Sequence, residues 1–271
     1  GQLLYYNIIP LKKTINSRDR ITTIGVPVQK SLLCFGLPDL YDTDYSSYGA
    51  GIFSIMSQGS YGWDLSNSYL PSFANTWTRS QLSTYFTTNI ISITDTSHNL
   101  RLPAIQLTNK SYKLQHPTEN DYWLVEYRKA IGFDRLLGSS STTPSGEEGL
   151  FIWHISDAPD NNTETPPNKR GESGYKVALE ARNGYFSLER KIIDSSGRAW
   201  IPGKEFTPFT LPSTVSHNGI PSGIELYNID YSGNDMTFDV EFHSERPVNI
   251  SDVWYGFEGN TLYKDTPSEL Q

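Results

Sequence analysis

The sequence predicts an α+β fold in which a helix and loops come first and an antiparallel β-sandwich-like module follows. From about Tyr112 onward, short aromatic and β-branched runs alternate with clusters of Gly, Pro, Asn and Asp, the pattern of successive strands and turns. Near the start of the chain, Ile24, Val28, Leu32 and Phe35 recur at close to helical spacing. These two observations place the helical part before the sheets.

The individual elements follow the chain in order. The first helix covers Ile24 to Phe35, and Pro27 is tolerated there because it falls in the first turn. Residues 72–86 predict a second helix, and residues 157–174, which contain three prolines, predict a long exposed loop. In the last predicted strand Met236, Phe238 and Val240 alternate with polar residues, as in a half-buried strand. The predicted strands are residues 121–129, 149–156, 175–182, 223–229 and 235–242.

Composition excludes two classes of function. The 271 residues hold 22 Lys and Arg against 30 Asp and Glu, a net charge of −8, so the attraction to phosphate backbones that nucleic-acid binding needs is missing. The longest apolar run, Leu32 to Leu37, is too short to span a bilayer. We therefore expect neither nucleic acid as a partner nor a membrane span.

Residues 36–62 carry the most specific motif, GLPDLYDTDYSSYGAGIFSIMSQGSYG. It resembles the signature of the immune inhibitor A-like metallopeptidases, in which His-Glu-x-x-His precedes Gly-Leu-Pro-Asp-Leu-Tyr-Asp and a Met-turn follows. Residues 122–128, 132–134, 149–155 and 222–238 resemble later landmarks of that family in the same order, so the resemblance covers about residues 20–242. It implies a zincin-like remnant over 1–110, a β-rich module over 111–243 and a C-terminal tail over 244–271.

The chain departs from this family where the zinc ligands should stand. Counting back from the motif, Gln29, Lys30 and Leu33 occupy the positions of the first histidine, the glutamate and the second histidine. The resemblance assigns Asp39 to the third ligand and Met56 to the Met-turn. Because zinc peptidases need two imidazoles and a general base, we expect no catalytic residue and no zinc here. A Lys30–Asp39 ion pair is the expected filling of the former zinc pocket.

Three carboxylates follow in the same loop, at Asp39, Asp42 and Asp44. Clustered carboxylates and backbone carbonyls suit a hard cation such as calcium. The alternative is a set of Asx turns, in which the side chains bond their own backbone.

The remaining reactive side chains do not form a recognisable site in the sequence. No two of His98, His116, His154, His217 and His243 lie at ligand spacing, and His154, within a predicted strand, is expected to be a packed or hydrogen-bonded core residue. Cys34 is expected to be buried and inert, since no pKa-lowering partner is evident.

Three glycosylation sequons favour a secreted or extracellular glycoprotein. They begin at Asn109, Asn161 and Asn249. The aromatic side chains on predicted strands are expected in the core, and exposed ones could alternatively stack on sugars. Those considered are Trp123, Trp153, Tyr175 and Phe186.

These observations predict a catalytically inactive metallopeptidase-like protein that serves as an extracellular scaffold, adhesion or assembly component, through a protein partner or self-assembly. Only 28 residues precede Gln29, whereas the family places a mixed sheet there, so an incomplete sheet edge is expected to seek a partner. Two alternatives remain open. One is an active zinc endopeptidase whose ligands come from other segments or from histidines gathered in space. The other is a glycan-binding module.

Overall fold

The computed structural model describes residues 23–62, 70–85, 87–137, 147–163, 174–191 and 197–243 with their side chains. Six further strands, in the stretches between and beyond these ranges, are described by their backbone only. Asn249 and the tail aromatic side chains lie outside the residues so described.

The chain forms many short strands and few helices. The helices are α1 (Gly25–Cys34), α2 (Thr76–Ser80) and α3 (Ile105–Thr108), with 3-10 turns at Gly51–Phe53, Gln58–Tyr61 and Gly132–Asp134. The strands are β1 (Lys12–Ile15), β2 (Arg18–Ile21), β3 (Asn89–Ile93), β4 (Ser97–Leu102), β5 (Lys110–Gln115), β6 (Tyr122–Arg128), β7 (Ser139–Ser140), β8 (Thr143–Pro144), β9 (Gly149–Ile155), β10 (Val177–Leu179), β11 (Ile224–Ser232), β12 (Asp235–Phe242), β13 (Trp254–Glu258) and β14 (Thr261–Asp265).

Two sheets build the body of the fold. A five-stranded sheet has the order β10-β9-β6-β5-β3, and a three-stranded sheet has the order β11-β12-β4. All neighbouring strands are antiparallel except β3 and β5, which run parallel in register from Asn89 opposite Lys110. This parallel pair does not contradict the predicted antiparallel module, because β3 precedes residue 111, and the crossover from β3 to β5 passes through β4 and helix α3.

The five-stranded sheet is buried on both faces. On one face, Trp123, Val125 and Ile152 pack against the three-stranded sheet. On the other face, Leu124 and Trp153 pack against α1 and the loop that follows it. Strands β6 and β9 lie in the centre of this three-layer arrangement, which explains their nearly continuous apolar sequences. The prediction of an α+β fold is confirmed.

Helix α1 confirms the first predicted helix, and Pro27 does lie in its first turn. Its buried face differs from the expected one, however. Gly25, Gln29 and Leu32 are buried, whereas Ile24 and Phe35 at the helix ends are 48% and 58% exposed. The helix therefore turns a polar side chain, Gln29, toward the interior.

The predicted strands and the second predicted helix are observed with changes of length, whereas most of the loop predicted over 157–174 lies outside the described residues. The strand predicted over 235–242 is observed as β12, with Met236, Phe238 and Val240 fully buried. The helix predicted over 72–86 is limited to α2, which begins after Asn75 caps the backbone N–H of Thr78. The strand predicted over 175–182 is limited to β10, because the chain leaves the sheet before a turn with Gly184 at φ 65°.

Strands on both sides of residue 110 contribute to both sheets. Strand β4 pairs with β12, and β3 pairs with β5, so residues 89–102 belong structurally to the β-rich body. In the tail, the backbone of β13 and β14 forms an antiparallel hairpin. None of the helices among the described residues has the length and apolar character needed to cross a bilayer.

Candidate functional site

The positions of the expected zinc ligands lie where α1 meets the following loop. Gln29 is 4% exposed and its Nε2 donates a hydrogen bond of 3.1 Å to Oδ1 of Asp39. Leu33, one turn further along α1, packs against the apolar cluster that contains the fully buried Met56. The amide of Leu40 donates to the carbonyl of Met56 at 2.8 Å. The structure thus brings Gln29 and Asp39 into contact beside the Met56 turn.

Three neighbouring side chains oppose the effect of burial on the pKa of Asp39. Burial raises the pKa of this carboxyl, and the positive charge of Lys30 and hydrogen bonds from Tyr41 and Gln29 act in the opposite direction. Asp39 accepts the hydrogen bond from Gln29, and the positive charge of Lys30 also acts on this carboxyl, as the predicted pairing of Lys30 with Asp39 requires. An amide fits the space because it can donate to the carboxylate directly.

These residues do not fit a catalytic zinc ion. The Gln29 amide nitrogen is a hydrogen-bond donor to Asp39, and Leu33 offers no lone pair. Zinc sites of peptidases use three nitrogen or oxygen ligands that converge on one metal. Asp39 is the one carboxylate left, so no step of metal-assisted hydrolysis follows from this geometry.

The Asp42 and Asp44 side chains form hydrogen bonds within their own loop. Oδ2 of the buried Asp42 accepts from the backbone N–H and hydroxyl of Ser47, at 2.7 and 2.8 Å, and from the hydroxyl of Ser46 at 2.8 Å. Asp44 accepts the backbone N–H of Ser46 at 2.7 Å. These are Asx-type interactions. Within the described residues, Asp39, Asp42 and Asp44 are not among the groups of three whose ligand atoms converge within 4.8 Å.

Two further expectations concern side chains near the surface. Cys34 is half-buried rather than buried, because it lies near the end of α1 beside the exposed Phe35. The sequon residues Asn109 and Asn161 are both partly exposed. Asn109 donates its side-chain amide to the carbonyl of Thr87 at 3.1 Å, and Asn161 accepts from the backbone N–H of Thr163.

The β-rich body contains a polar cluster that sequence spacing did not reveal. Asp121, just before β6, His154, in β9, and His217, in the loop before β11, all lie buried and in contact. Oδ2 of Asp121 meets Nε2 of His154 at 3.0 Å and Nδ1 of His217 at 2.8 Å. Nδ1 of His154 donates to Oε1 of Glu180 at 3.0 Å. We call these four residues the histidine cluster.

Electrostatics inside the histidine cluster favour one imidazolium between two carboxylates. Burial alone would lower the pKa of His154, but its hydrogen bonds to Asp121 and Glu180 raise it to about 9. Burial raises the pKa of Asp121, but the hydrogen bonds from both histidines outweigh it and leave the pKa far below its usual range. Burial and the charge of His154 lower the pKa of His217. The expectation of a hydrogen-bonded core histidine at position 154 is confirmed.

The histidine cluster and the contact between Gln29 and Asp39 lie on opposite faces of the five-stranded sheet. His154 stacks near Trp123 on the face toward the three-stranded sheet, with ring centroids 4.9 Å apart. Met56 and Trp153 belong to the apolar cluster on the other face of this sheet. The gathered histidines therefore cannot supply the ligands that the α1 site lacks.

The aromatic side chains considered for sugar stacking are mostly inaccessible. Trp123, Trp153 and Tyr175 are fully buried, and Phe186 is partly buried in a turn outside the strands. Stacking on a sugar needs an exposed ring face, so the three buried rings cannot provide it.

Sequence reasoning missed the histidine cluster for a reason specific to its geometry. Asp121 and His154 are brought together by the β6–β9 pairing, in which Trp123 lies opposite His154. A polar His in an otherwise apolar strand was the one local signal. Nothing in the local sequence marks His217, because it lies in an irregular loop.

No family model matches this chain, and a search of curated proteins finds no match to it.

Proposed function

We propose that this chain is an immune inhibitor A-like metallopeptidase relative that has lost hydrolysis and acts outside the cell as a scaffold through protein contacts. The observation that carries the proposal is the hydrogen bond between Gln29 and Asp39, two residues that the resemblance assigns to metal-ligand positions. The contact of the Leu40 amide with the Met56 carbonyl supports the resemblance, since it places the loop over the Met-turn. In this proposal the fold is retained although the hydrolytic activity is lost.

Hydrolysis is tested by restoring the ligands. The wild-type chain should not cleave an unstructured protein substrate, with or without added zinc. The triple variant Gln29→His, Lys30→Glu, Leu33→His should bind one zinc equivalent more than the wild-type chain, because Asp39 stands ready as the third ligand. Zinc per chain is measured after gel filtration, and adding Asp39→Asn to the triple variant is the control that should remove the extra zinc.

Two outcomes contradict this part of the proposal. Chelator-sensitive proteolysis by the wild-type chain, abolished by Asp39→Asn, establishes the active endopeptidase instead. If the triple variant folds but binds no additional zinc, the site is not a former metal centre.

Exposed tyrosines beside Asp39 support a contact role. Tyr41 hydrogen-bonds Asp39 and stacks with Tyr45 at 6.3 Å between ring centroids, and Tyr61 is close enough to raise the pKa of Tyr41. Tyr45 and Tyr61 are 66% and 47% exposed. Tyrosine is enriched at protein interfaces because its ring is large and rigid and its hydroxyl tolerates water. This surface is the proposed contact site, with a second copy of the chain as the proposed partner.

Self-association is the expected result for the contact role. Sedimentation velocity of the full chain should show concentration-dependent association, and the double variant Tyr45→Ser, Tyr61→Ser should weaken it by about tenfold or more, or about 1.4 kcal/mol. Tyr185→Ser, at a tyrosine that is 61% exposed, is the matched control and should leave association unchanged. A chain that stays monomeric at all concentrations, or equal weakening by the control, rejects self-assembly at this surface.

A further inference from the structure

We propose that Asp121, His154 and His217 form a structural site for a zinc-type divalent cation inside the β-rich body. This site is independent of the proposed function, since it lies on the opposite face of the five-stranded sheet from Gln29 and Asp39. The three residues are one of two groups of three among the described residues whose ligand atoms all lie within 4.8 Å of one another. The other group, Glu225, Glu241 and His243, is only partly buried.

The distances within the histidine cluster suit such a cation after a small expansion. Oδ2 of Asp121 lies 3.0 Å from Nε2 of His154 and 2.8 Å from Nδ1 of His217. Ligands bound at about 2.0–2.1 Å around a tetrahedral zinc lie about 3.3 Å apart. Moving each pair apart by a few tenths of an ångström therefore makes room for the ion in place of protons.

The donor types select the class of cation. Two imidazole nitrogens and one carboxylate oxygen suit zinc and neighbouring divalent transition metals, whereas calcium and magnesium prefer oxygen donors throughout. On binding, the ion would displace the Nε2 proton of His154, and the ionised aspartate would offset part of the charge of a divalent cation in this buried place. A metal would fix the start of β6, the end of β9 and the loop before β11 to one another.

Glu180 completes the arrangement from outside the ligand set. Its Oε1 accepts the Nδ1 hydrogen of His154 at 3.0 Å, so Nε2, which faces Asp121, becomes the metal ligand once its proton is displaced by the ion. Metal-binding histidines usually donate their second nitrogen to a carboxylate or carbonyl in this manner. Glu180 is therefore a positioning residue.

The nearby His116 is committed elsewhere. Its Nδ1 accepts the backbone N–H groups of Thr118 and Glu119 at 3.2 and 3.1 Å, and its Nε2 meets the carbonyl of Ile220 at 3.0 Å. It supports the loop beside the cluster without offering a free ligand atom. The proposed site accordingly has three protein ligands, and its fourth position is available to water.

Cobalt(II) titration of the full, chelator-treated chain tests the proposal. The wild-type chain should bind one equivalent with the visible absorption of a four-coordinate site, and zinc should displace the cobalt. In proton NMR the cobalt form should show two strongly shifted exchangeable signals, from Nδ1–H of His154 and Nε2–H of His217. Absence of saturable binding, or of these two signals, overturns the proposal on the wild-type chain alone.

Variants locate the bound ion. His217→Gln should lower cobalt affinity at least about 100-fold, and Glu180→Gln about 10-fold, since a glutamine oxygen can still accept the His154 hydrogen. His98→Gln, at a histidine whose side chain is 64% exposed, should leave the affinity within about twofold. Equal affinity in His217→Gln and wild type, with folding checked by circular dichroism, assigns the ion to another place and rejects the site.

Discussion

Replacing Arg128 by methionine is expected to lower the free energy of unfolding by about 3 to 5 kcal/mol, because it leaves buried carboxylates without their cation. Arg128 is fully buried in β6, and its Nε lies 2.7 Å from Oε1 of Glu126. Its guanidinium also donates to the carbonyls of Phe53 and Phe73, at 3.0 and 3.3 Å. Methionine retains much of the volume but none of these donors.

The hydrogen bonds of Glu126 make the loss of stability in Arg128→Met larger than the loss expected from one broken ion pair. Its other oxygen accepts both the backbone N–H and the hydroxyl of Thr76 at 2.7 Å each, and Trp153 donates to Oε1 at 2.9 Å. The charge cannot move to water, since Glu126 is also fully buried. The Arg128 network therefore fixes α2 and the loop containing Phe53 to the central sheet.

Guanidinium unfolding of matched arginine variants measures the effect. Arg101 forms an ion pair with Asp235 at 2.5 Å, but its side chain is 61% exposed, so Arg101→Met should cost less than about 1 kcal/mol. Adding Glu126→Gln to Arg128→Met should give a coupling energy of about 1–3 kcal/mol, because the stranded charge is removed. Equal costs for the two arginine variants would show that burial does not set the strength of the Arg128 network.

Glu189→Gln is expected to stabilise the chain by about 3 kcal/mol above pH 7 and by almost nothing below pH 4.5. Burial raises the pKa of Glu189 from 4.5 to about 7, and its own backbone and Arg198 only partly offset this. Between these pH values the unfolded chain ionises the carboxyl while the folded chain keeps it protonated. Folding stability contributed by this group is therefore present at low pH and falls as pH rises to about 7.

Unfolding free energies at several pH values between 4 and 8 check this prediction. The difference between Glu189→Gln and wild type should grow through the stated window and then remain constant. Glu205→Gln, at an exposed carboxyl, is the control and should differ from wild type by a similar small amount at every pH. A pH-independent difference for Glu189→Gln would mean that folding does not raise the pKa of this carboxyl.

The sequence predicted elements whose local period matches their burial. Strand β12 was predictable because its apolar residues alternate at the period of a strand with one buried face. Helix α1 was predictable in position, but its buried face was not, since Ile24 and Phe35 sit at the helix ends and remain exposed. Strand β3 carried no such signal, because most of its residues are exposed at the sheet edge.

The site was predictable only where the motif itself fixed the positions. The contact between α1 and the following loop was expected, whereas the hydrogen bond from Gln29 to Asp39 was not, and it forms because the side chain at position 29 points inward. The histidine cluster was beyond reach because strand pairing and an irregular loop, both long-range features, bring its residues together. Long-range contacts of this kind leave neither a helical nor an alternating pattern in the sequence.

Alternate residues of β6 point to different layers of the molecule. Leu124 and Glu126 face α1 and its loop, whereas Trp123 and Val125 face the smaller sheet. Because the tightly packed five-stranded sheet separates the two layers, residues in one layer can be substituted while the hydrogen-bonded residues in the other layer keep their arrangement. Substitutions around Gln29 and Asp39 would then leave the buried histidine pair on the opposite side of the sheet unaffected.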